Sequence, residues 1–117
     1  MKKAMKDAWL AALRSGKYRQ GSGNLRKYDS KAKKSKFCCL GVLCEVNGVA
    51  YQDYDVYGIK EYLFSTRSKD EEVIPRTWLR KWGLNPDLMD DLVSKNDDYE
   101  WSFKKIADHI EKKVRAT

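Results

Sequence analysis

The chain has 117 residues, of which 42% are hydrophobic and 12% aromatic, and its formal net charge is +7. This composition excludes a disordered tail, and the length is typical of one domain, which we expect to span residues 1–117. The longest apolar run, Phe37 to Cys44, is far shorter than the roughly 20 residues of a membrane span, and no apolar segment follows the N-terminal lysines, so we expect neither a membrane partner nor a secretory signal.

The first half of the chain predicts two helices with a hairpin between them. Apolar and small residues recur at helical spacing over residues 3–14, and Gly16 follows as a cap. A loop of small residues covers 20–24, and a short strand over 25–28 is expected to pair, across a lysine-rich turn, with a strand that ends near Phe37. The next segment, Cys39 to Val46, is apolar on all sides, which favours a short buried helix.

The second half predicts a ribbon followed by three helical segments. Residues 49–68 are rich in tyrosine and favour one or two short strands or an irregular ribbon, and a charged loop covers 67–72. Pro75 begins a short helix, Asn85 caps a second and Ser102 caps the last. We therefore predict an α+β fold in which about four helices pack on a small antiparallel sheet in a single compact domain.

The positive charge is concentrated in the first third of the chain. Residues 1–36 hold 12 Lys and Arg against two acids, a charge of +10, whereas the remaining residues carry −3. This asymmetry predicts an anionic partner, although the run from Lys31 to Lys36 is equally typical of a solvated turn. The cations before that run alternate with tyrosines and amides, which suit phosphates and bases. The predicted ligand site comprises Arg14, Lys17, Tyr18, Arg19, Gln20, Asn24, Arg26 and Tyr28.

Neither a metal site nor a catalytic set is evident in the sequence. The three cysteines, Cys38, Cys39 and Cys44, are an odd number with no zinc-binding spacing, so we expect free thiols buried in a protein of the reducing cytoplasm. The single histidine, His109, falls inside the last predicted helix and has no nucleophile pattern beside it. We therefore expect no metal, no cofactor, no catalytic residue and no enzymatic activity.

Two blocks of sequence carry a resemblance. The pattern W-L-x-A-L-R-S-G-K-Y-x-Q-G-x-G-x-L-R over residues 9–26 and F-C-C-L-G-V-L-C over residues 37–44 resembles a family of small proteins that recurs in bacteriophage and prophage genomes. Weaker matches follow at Ile74-Pro75, at Asn96-Asp97 and in the last predicted helix. The resemblance implies a phage-borne accessory protein that acts in the cytoplasm of a bacterial host, a setting in which small soluble proteins often antagonise host defence.

Three functions are compatible with these features, of which the third is an adaptor that acts only in assembly. The leading prediction is a non-enzymatic binder of an anionic ligand, either a nucleotide second messenger or a nucleic acid, that uses the predicted site between residues 14 and 28. The alternative is a protein-binding inhibitor of a host defence nuclease or effector, in the manner of an anti-CRISPR protein, that acts through its charged faces. The same opposite charges would allow homo-oligomers. Candidate anchors for a protein partner are Trp78, Trp82 and Trp101.

Overall fold

The computed structural model describes residues 1–29, 31–54, 59–62 and 74–117. Half of the predicted ribbon over 49–68 lies outside these residues, and so does the whole charged loop over 67–72. The described half of the ribbon includes two short paired strands. Five helices and five strands are present in the described ranges. In chain order they are α1 (Lys3–Arg14), β1 (Arg19–Gln20), β2 (Arg26–Asp29), β3 (Lys34–Phe37), α2 (Cys39–Val46), β4 (Tyr51–Tyr54), β5 (Ile59–Tyr62), α3 (Arg76–Trp82), α4 (Pro86–Asp97) and α5 (Phe103–Lys113).

The α+β class is confirmed, but two details of the prediction are wrong. The described residues form five helices rather than about four as in the predicted architecture. The segments that begin near Pro75 and Asn85 are separate helices, as their individual sequence signals predicted, because Gly83 adopts a left-handed conformation (φ 72°) that ends α3 and Asn85 caps α4 by accepting a hydrogen bond from the Asp87 N–H at 2.8 Å. The main sheet is mixed rather than antiparallel, in the order β1-β3-β2, because β1 runs parallel to β3. The loop between β1 and β2 reverses the chain, so the two strands flank β3 in opposite directions.

Strands β2 and β3 form the hairpin that the sequence predicted. Arg26 pairs with Phe37 at its base, and Lys27 lies directly opposite Lys36. The side chain of Asp29 accepts hydrogen bonds from the N–H groups of Lys31 and Ala32 at 3.0 and 3.3 Å, which orders the turn. Residues 26–29 and 31–37, with the turn between the strands, are called the basic hairpin below.

The core is built around α2, as its apolar sequence predicted. Residues 39–44 of this helix are buried, and the indole Nε1 of Trp9 on α1 donates a hydrogen bond to the Cys39 carbonyl at 2.9 Å. Gly41 faces the carbonyl of Leu25 so closely that a Cβ at this position would overlap its oxygen. Helix α5 begins at the predicted cap Ser102, whose hydroxyl accepts a hydrogen bond from the Lys105 N–H, and it buries an apolar stripe in the same core.

The tryptophans proposed as anchors are divided between core and surface. Trp82 is buried, whereas Trp78 and Trp101 are half-buried against the core. In the described part of the chain no helix is both long enough and apolar enough to cross a membrane.

Candidate functional site

The eight residues predicted as one ligand site lie in separate places. A first groove, beside the basic hairpin, is lined by four of them: Lys17, Arg19, Arg26 and Tyr28. A second groove is lined by Gln20 and Asn24. Tyr18 packs against another ring, and Arg14 forms an ion pair.

The first groove is strongly basic. It has a volume of about 300 Å³, and within the described part of the chain no acidic residue lines it. Tyr28, whose surface is 37% exposed, supplies an aromatic face beside the charges. We call it the basic groove, and its lining residues are Lys17, Arg19, Arg26, Tyr28, Lys33, Lys34, Ser35 and Phe37. Five cations without a carboxylate in the lining create a positive potential that attracts phosphate oxygens.

Arg26 differs from the other cations because it is bound within the protein. Its Nε donates to the hydroxyl of Ser35 at 2.9 Å and its Nη1 donates to Glu45 Oε1 at 2.7 Å. Its guanidinium carbon lies 3.9 Å from the ring centroid of Tyr51. Glu45 compensates its charge, so Arg26 mainly anchors the base of the hairpin.

The other four cations of the basic groove keep their charges uncompensated. No ion pair within the described residues involves Lys17, Arg19, Lys33 or Lys34. All four residues are exposed, so an incoming anion can reach them without breaking an ion pair within the described residues; Lys17 Nζ also lies 5.6 Å from the ring centroid of Tyr18. Lys33 and Lys34 were not among the predicted site residues because a lysine run is usually a solvated turn, and their contribution depends on the fold of the hairpin.

Tyr18 and Arg14 have roles inside the molecule. The half-buried ring of Tyr18 packs edge-on against Phe37 with centroids 5.2 Å apart. Arg14 donates to Asp108 at 2.9 Å and to Glu111 at 3.2 Å, and these hydrogen bonds raise the pKa of the Arg14 guanidinium. Arg14 therefore links α1 to α5, and its two acidic partners neutralise part of the positive charge of the first third of the chain.

The second groove is polar and has a volume of about 460 Å³. Its centre is Asn96 on α4, which is only 3% exposed. The Asn96 amide donates to the Gly21 carbonyl at 2.9 Å and accepts from Gln20 Nε2 at 3.0 Å, and Gln20 also donates to the Trp101 carbonyl at 2.7 Å. These bonds hold the loop after β1 against α4. We call it the amide groove, and its lining residues are Gln20, Gly21, Ser22, Asn24, Lys27, Lys36, Asn96 and Glu100.

The register of the sheet separates some residues of the two grooves. Successive side chains of a strand point to opposite sides of the sheet. Arg26 and Tyr28 of β2 line the basic groove, whereas Lys27 between them lines the amide groove with its cross-strand neighbour Lys36. Arg19 pairs with Lys36, and Lys34 lies opposite Asp29, so these two cations belong to the face of Lys27 and Lys36 although they line the basic groove. Lys27, Lys36 and Asn96 were not predicted, since only the register of the sheet assigns them to a groove.

The three cysteines are buried free thiols, and His109 lies against Asp91. Burial raises the pKa of the Cys38 thiol to about 11 and that of Cys39 and Cys44 well above the ordinary value. His109 Nε2 lies 2.9 Å from a carboxylate oxygen of Asp91, and this hydrogen bond lowers the pKa of Asp91. Across the described ranges, no three His, Cys, Asp or Glu residues converge as metal ligands would.

Comparison with known proteins identifies a family but not an activity. The chain belongs to the family described as a domain of unknown function, DUF8296, whose model matches residues 1–93. That range contains the basic groove and most of the amide groove, and it ends within α4. No curated protein and no solved structure matches the chain.

Proposed function

We propose that this protein binds an anionic ligand, a nucleotide or a nucleic acid, in the basic groove. The observation that carries the proposal is the set of four exposed cations, Lys17, Arg19, Lys33 and Lys34, that line one groove in which the described ranges place no acidic residue. Such a set matches the charge of phosphate groups, and arginine offers a planar fork for their oxygens. The function requires binding alone, without chemistry.

The proposed mode of binding divides the ligand between two kinds of side chain. The cations contact phosphate oxygens, and the exposed ring of Tyr28 stacks on a base, a contact worth about 1–3 kcal/mol. Arg26 keeps its bonds to Ser35 and Glu45 and thereby holds the floor of the groove in place. The biological setting proposed from the resemblance is a phage-encoded antagonist of host defence in the bacterial cytoplasm.

A charge reversal at Arg19 tests this function. Arg19 is exposed, and within the described structure its side chain makes no hydrogen bond or ion pair, so Arg19→Glu keeps the backbone pairing of β1 with β3 and should fold as the wild type does. The matched control is Arg76→Glu, an equal charge change at the first residue of α3, where a negative charge is tolerated. Binding is measured by fluorescence anisotropy with labelled mononucleotides, single strands and duplexes.

The expected result is that Arg19→Glu weakens binding of the preferred ligand about tenfold or more, as the loss of a charged contact does, while Arg76→Glu binds as the wild type. Equal binding by wild type, Arg19→Glu and Arg76→Glu would contradict the proposal, and so would failure of the wild type to bind any of the anionic probes.

A second candidate function has one observation in its favour. A third groove, of about 630 Å³, lies between the N-terminus and α3 and combines apolar and basic lining residues. Its aromatic and sulfur-containing side chains are typical of a protein-binding surface. These are Met1, Met5, Trp78 and Trp82. Capture of one host protein from nuclease-treated lysate, lost in Trp78→Ala, would favour an inhibitor of a host defence protein; capture that nuclease abolishes would favour the nucleic acid.

A further inference from the structure

The amide groove is lined by charges of both signs that do not pair with one another. Lys27 and Lys36 line it together with Glu100. Within the described residues, none of these three side chains forms an ion pair. Opposite charges that share a groove without contact leave room between them for a ligand. Such a ligand would have an anionic group at one end and hydrogen-bond donors at the other.

The register of the sheet strengthens the positive end of the amide groove. Lys36 of β3 pairs with Lys27 of β2 on one side and with Arg19 of β1 on the other, so the three cations lie in a row on one face. Neighbouring strands are about 4.8 Å apart, and like charges at opposite positions repel and destabilise a sheet. A phosphate group bound at this row would relieve the repulsion, and departures from local sheet rules are expected where binding uses them.

The loop after β1 fixes the position of the Lys36 side chain. Its stem passes so close to Gly21 that a Cβ on residue 21 would lie 2.8 Å from the Lys36 Cβ. The Gly21 N–H donates to the Phe37 carbonyl at 2.8 Å, and the Asn96 amide donates to the Gly21 carbonyl at 2.9 Å. Loop, strand and α4 therefore hold one another, and the lysine end of the groove needs little rearrangement to bind a ligand.

The lining between the charged ends is polar. Gln20 and Asn96 use their amides within the protein, whereas no side-chain hydrogen bond is found for Ser22 or Asn24 in the described structure. Among the described residues, no apolar or aromatic side chain lines this groove. It therefore offers amide and hydroxyl groups that suit the hydroxyls of a ligand, and no ring on which a base could stack.

The acidic end of the groove has a strained backbone. Glu100 lies between α4 and α5 with a φ of 53°, in the left-handed region that glycine adopts more easily. The residue is exposed, and within the described residues no ion pair of its carboxylate offsets this cost. Strained residues concentrate at ligand sites, which favours a role for this carboxylate in accepting hydrogen bonds from a ligand.

We propose that the amide groove is a second binding site, independent of the function proposed for the basic groove, and that its ligand is a sugar phosphate. Lys27 and Lys36 contact the phosphate oxygens, and Glu100 accepts hydrogen bonds from the sugar hydroxyls, with Ser22 and Asn24 beside it. The groove volume of about 460 Å³ lies within the range of about 300–1,000 Å³ that is typical of small-molecule sites. The same chemistry occurs in free sugar phosphates and in nucleotides, which the experiment separates.

Isothermal titration calorimetry of the full-length protein tests the ligand class. The probes are ribose-5-phosphate, inorganic phosphate, ribose and adenosine monophosphate. We expect the wild type to bind ribose-5-phosphate at least about tenfold more tightly than inorganic phosphate or ribose, because only the sugar phosphate reaches both ends of the groove. Tighter binding of adenosine monophosphate than of ribose-5-phosphate would assign the site to a nucleotide, and equal or weaker binding would assign it to a free sugar phosphate.

Two variants test the two ends of the groove. Lys27→Gln/Lys36→Gln should weaken binding of ribose-5-phosphate at least about tenfold, and it should fold as the wild type does because it also removes a repulsion. Glu100→Gln keeps the size of the side chain and removes its charge. It should weaken binding of ribose-5-phosphate about threefold or more and leave the affinity for inorganic phosphate equal or higher, a change of selectivity that a purely structural role would not produce.

Two further variants control for charge and for location. Lys112→Gln/Lys113→Gln removes two exposed charges in the last turn of α5 and should bind ribose-5-phosphate as the wild type does. Lys17→Gln/Lys33→Gln removes two charges from the basic groove and should also leave binding of ribose-5-phosphate unchanged.

Three results would overturn the inference. If the wild type binds ribose-5-phosphate no more tightly than inorganic phosphate, or does not bind it, the groove is not a sugar phosphate site. If selectivity is unchanged in Glu100→Gln, the acidic end does not contact the sugar. If Lys17→Gln/Lys33→Gln loses binding while Lys27→Gln/Lys36→Gln keeps it, the ligand lies in the basic groove, which contradicts this inference and leaves the proposed function intact.

Discussion

Arg26 lies against the ring of Tyr51 and donates a hydrogen bond to Glu45, so one side chain of β2 contacts both β4 and α2. Its guanidinium carbon is 3.9 Å from the Tyr51 ring centroid and its Nη1 is 2.7 Å from Glu45 Oε1. Both partners of the ion pair are 24% exposed, a burial at which charge-assisted hydrogen bonds are stronger than on an open surface. This arrangement fixes the base of the basic hairpin and leaves its tip available to a ligand.

Replacing Arg26 should therefore loosen the hairpin. We expect Arg26→Met to lower the free energy of unfolding by about 2 kcal/mol, because it removes the bonds to Ser35 and Glu45 and the contact with Tyr51 and leaves the Glu45 carboxylate unpaired by Arg26. Arg26→Lys keeps the charge but not the planar fork, so its free energy of unfolding should lie between those of the wild type and Arg26→Met. Urea denaturation measures both; a loss below about 0.5 kcal/mol for Arg26→Met would mean that this residue is no anchor.

Asn96 should be important for the shape of the amide groove. Asn96→Ala removes the bond to the Gly21 carbonyl and the bond from Gln20 at a site that is 3% exposed, so we expect a loss of about 2 kcal/mol in urea denaturation. Asn24→Ala makes the same chemical change at a half-buried loop residue for which no side-chain hydrogen bond is found in the described structure, and it should cost less than about 0.5 kcal/mol. Equal losses in the two variants would contradict the role given to Asn96.

Gly41 should tolerate no side chain. In Gly41→Ala the new Cβ would overlap the Leu25 carbonyl oxygen, so either β2 or α2 must move, and we expect a loss of more than about 3 kcal/mol or failure to fold. Gly48→Ala separates this steric effect from backbone strain. Gly48 has a φ of 69° and no neighbouring atom within 4 Å, so its substitution should cost only about 1–2 kcal/mol. Similar thermal midpoints for the two variants would refute the close approach.

The three thiols should resist alkylation in the native protein. Burial raises the pKa of Cys38 to about 11, so the reactive thiolate is scarce at pH 8.5, below the ordinary thiol value of 9.0. The pKa of the Cys38 thiol is higher in the folded protein than in the unfolded chain. The contribution of this thiol to the free energy of unfolding is therefore complete below the ordinary pKa of 9.0 and is lost as the pH rises through the folded value of about 11. Mass spectrometry after iodoacetamide treatment should show no modification without urea and three with it. Rapid labelling of the native protein would show that the thiols are accessible.

Cys39→Asp extends this test to the core. Cys39 is fully buried in α2, so an aspartate there would be an unpaired buried charge, and we expect the chain not to fold. Cys39→Ala is the control, because it shortens the side chain without adding charge. Circular dichroism distinguishes the two variants, and a cooperative unfolding transition in Cys39→Asp would show that this part of α2 is less enclosed than the structure indicates.

Local signals in the sequence predicted much of the fold but little of the arrangement of the site. The apolar run predicted α2, and the caps Asn85 and Ser102 predicted the starts of α4 and α5, because these features depend on neighbouring residues. The parallel pairing of β1 with β3 was missed, since nothing local specifies which edge of β3 a two-residue strand joins. The ion pairs of Arg14 were missed for the same reason, as its partners lie more than ninety residues away.

The residues of the candidate site also divide into those that the sequence predicted and those that only the tertiary structure reveals. Charge counting located the cations of the first third of the chain, and the structure brings Lys17, Arg19 and Arg26 to one groove. The assignment of Lys27 and Lys36 to the amide groove requires the register of the hairpin, which depends on tertiary packing.

The most direct measurement for the central proposal is amide chemical-shift mapping by NMR during titration of the protein with the nucleotide or nucleic-acid probe that binds most tightly. We predict that the largest shifts fall on the lining of the basic groove, namely on Lys17, Arg19 and residues 33–35, with little change at the C-terminal end of α5. Shifts confined to the groove around Met1 and Trp78, or an unchanged spectrum with every anionic probe at saturation, would contradict binding in the basic groove.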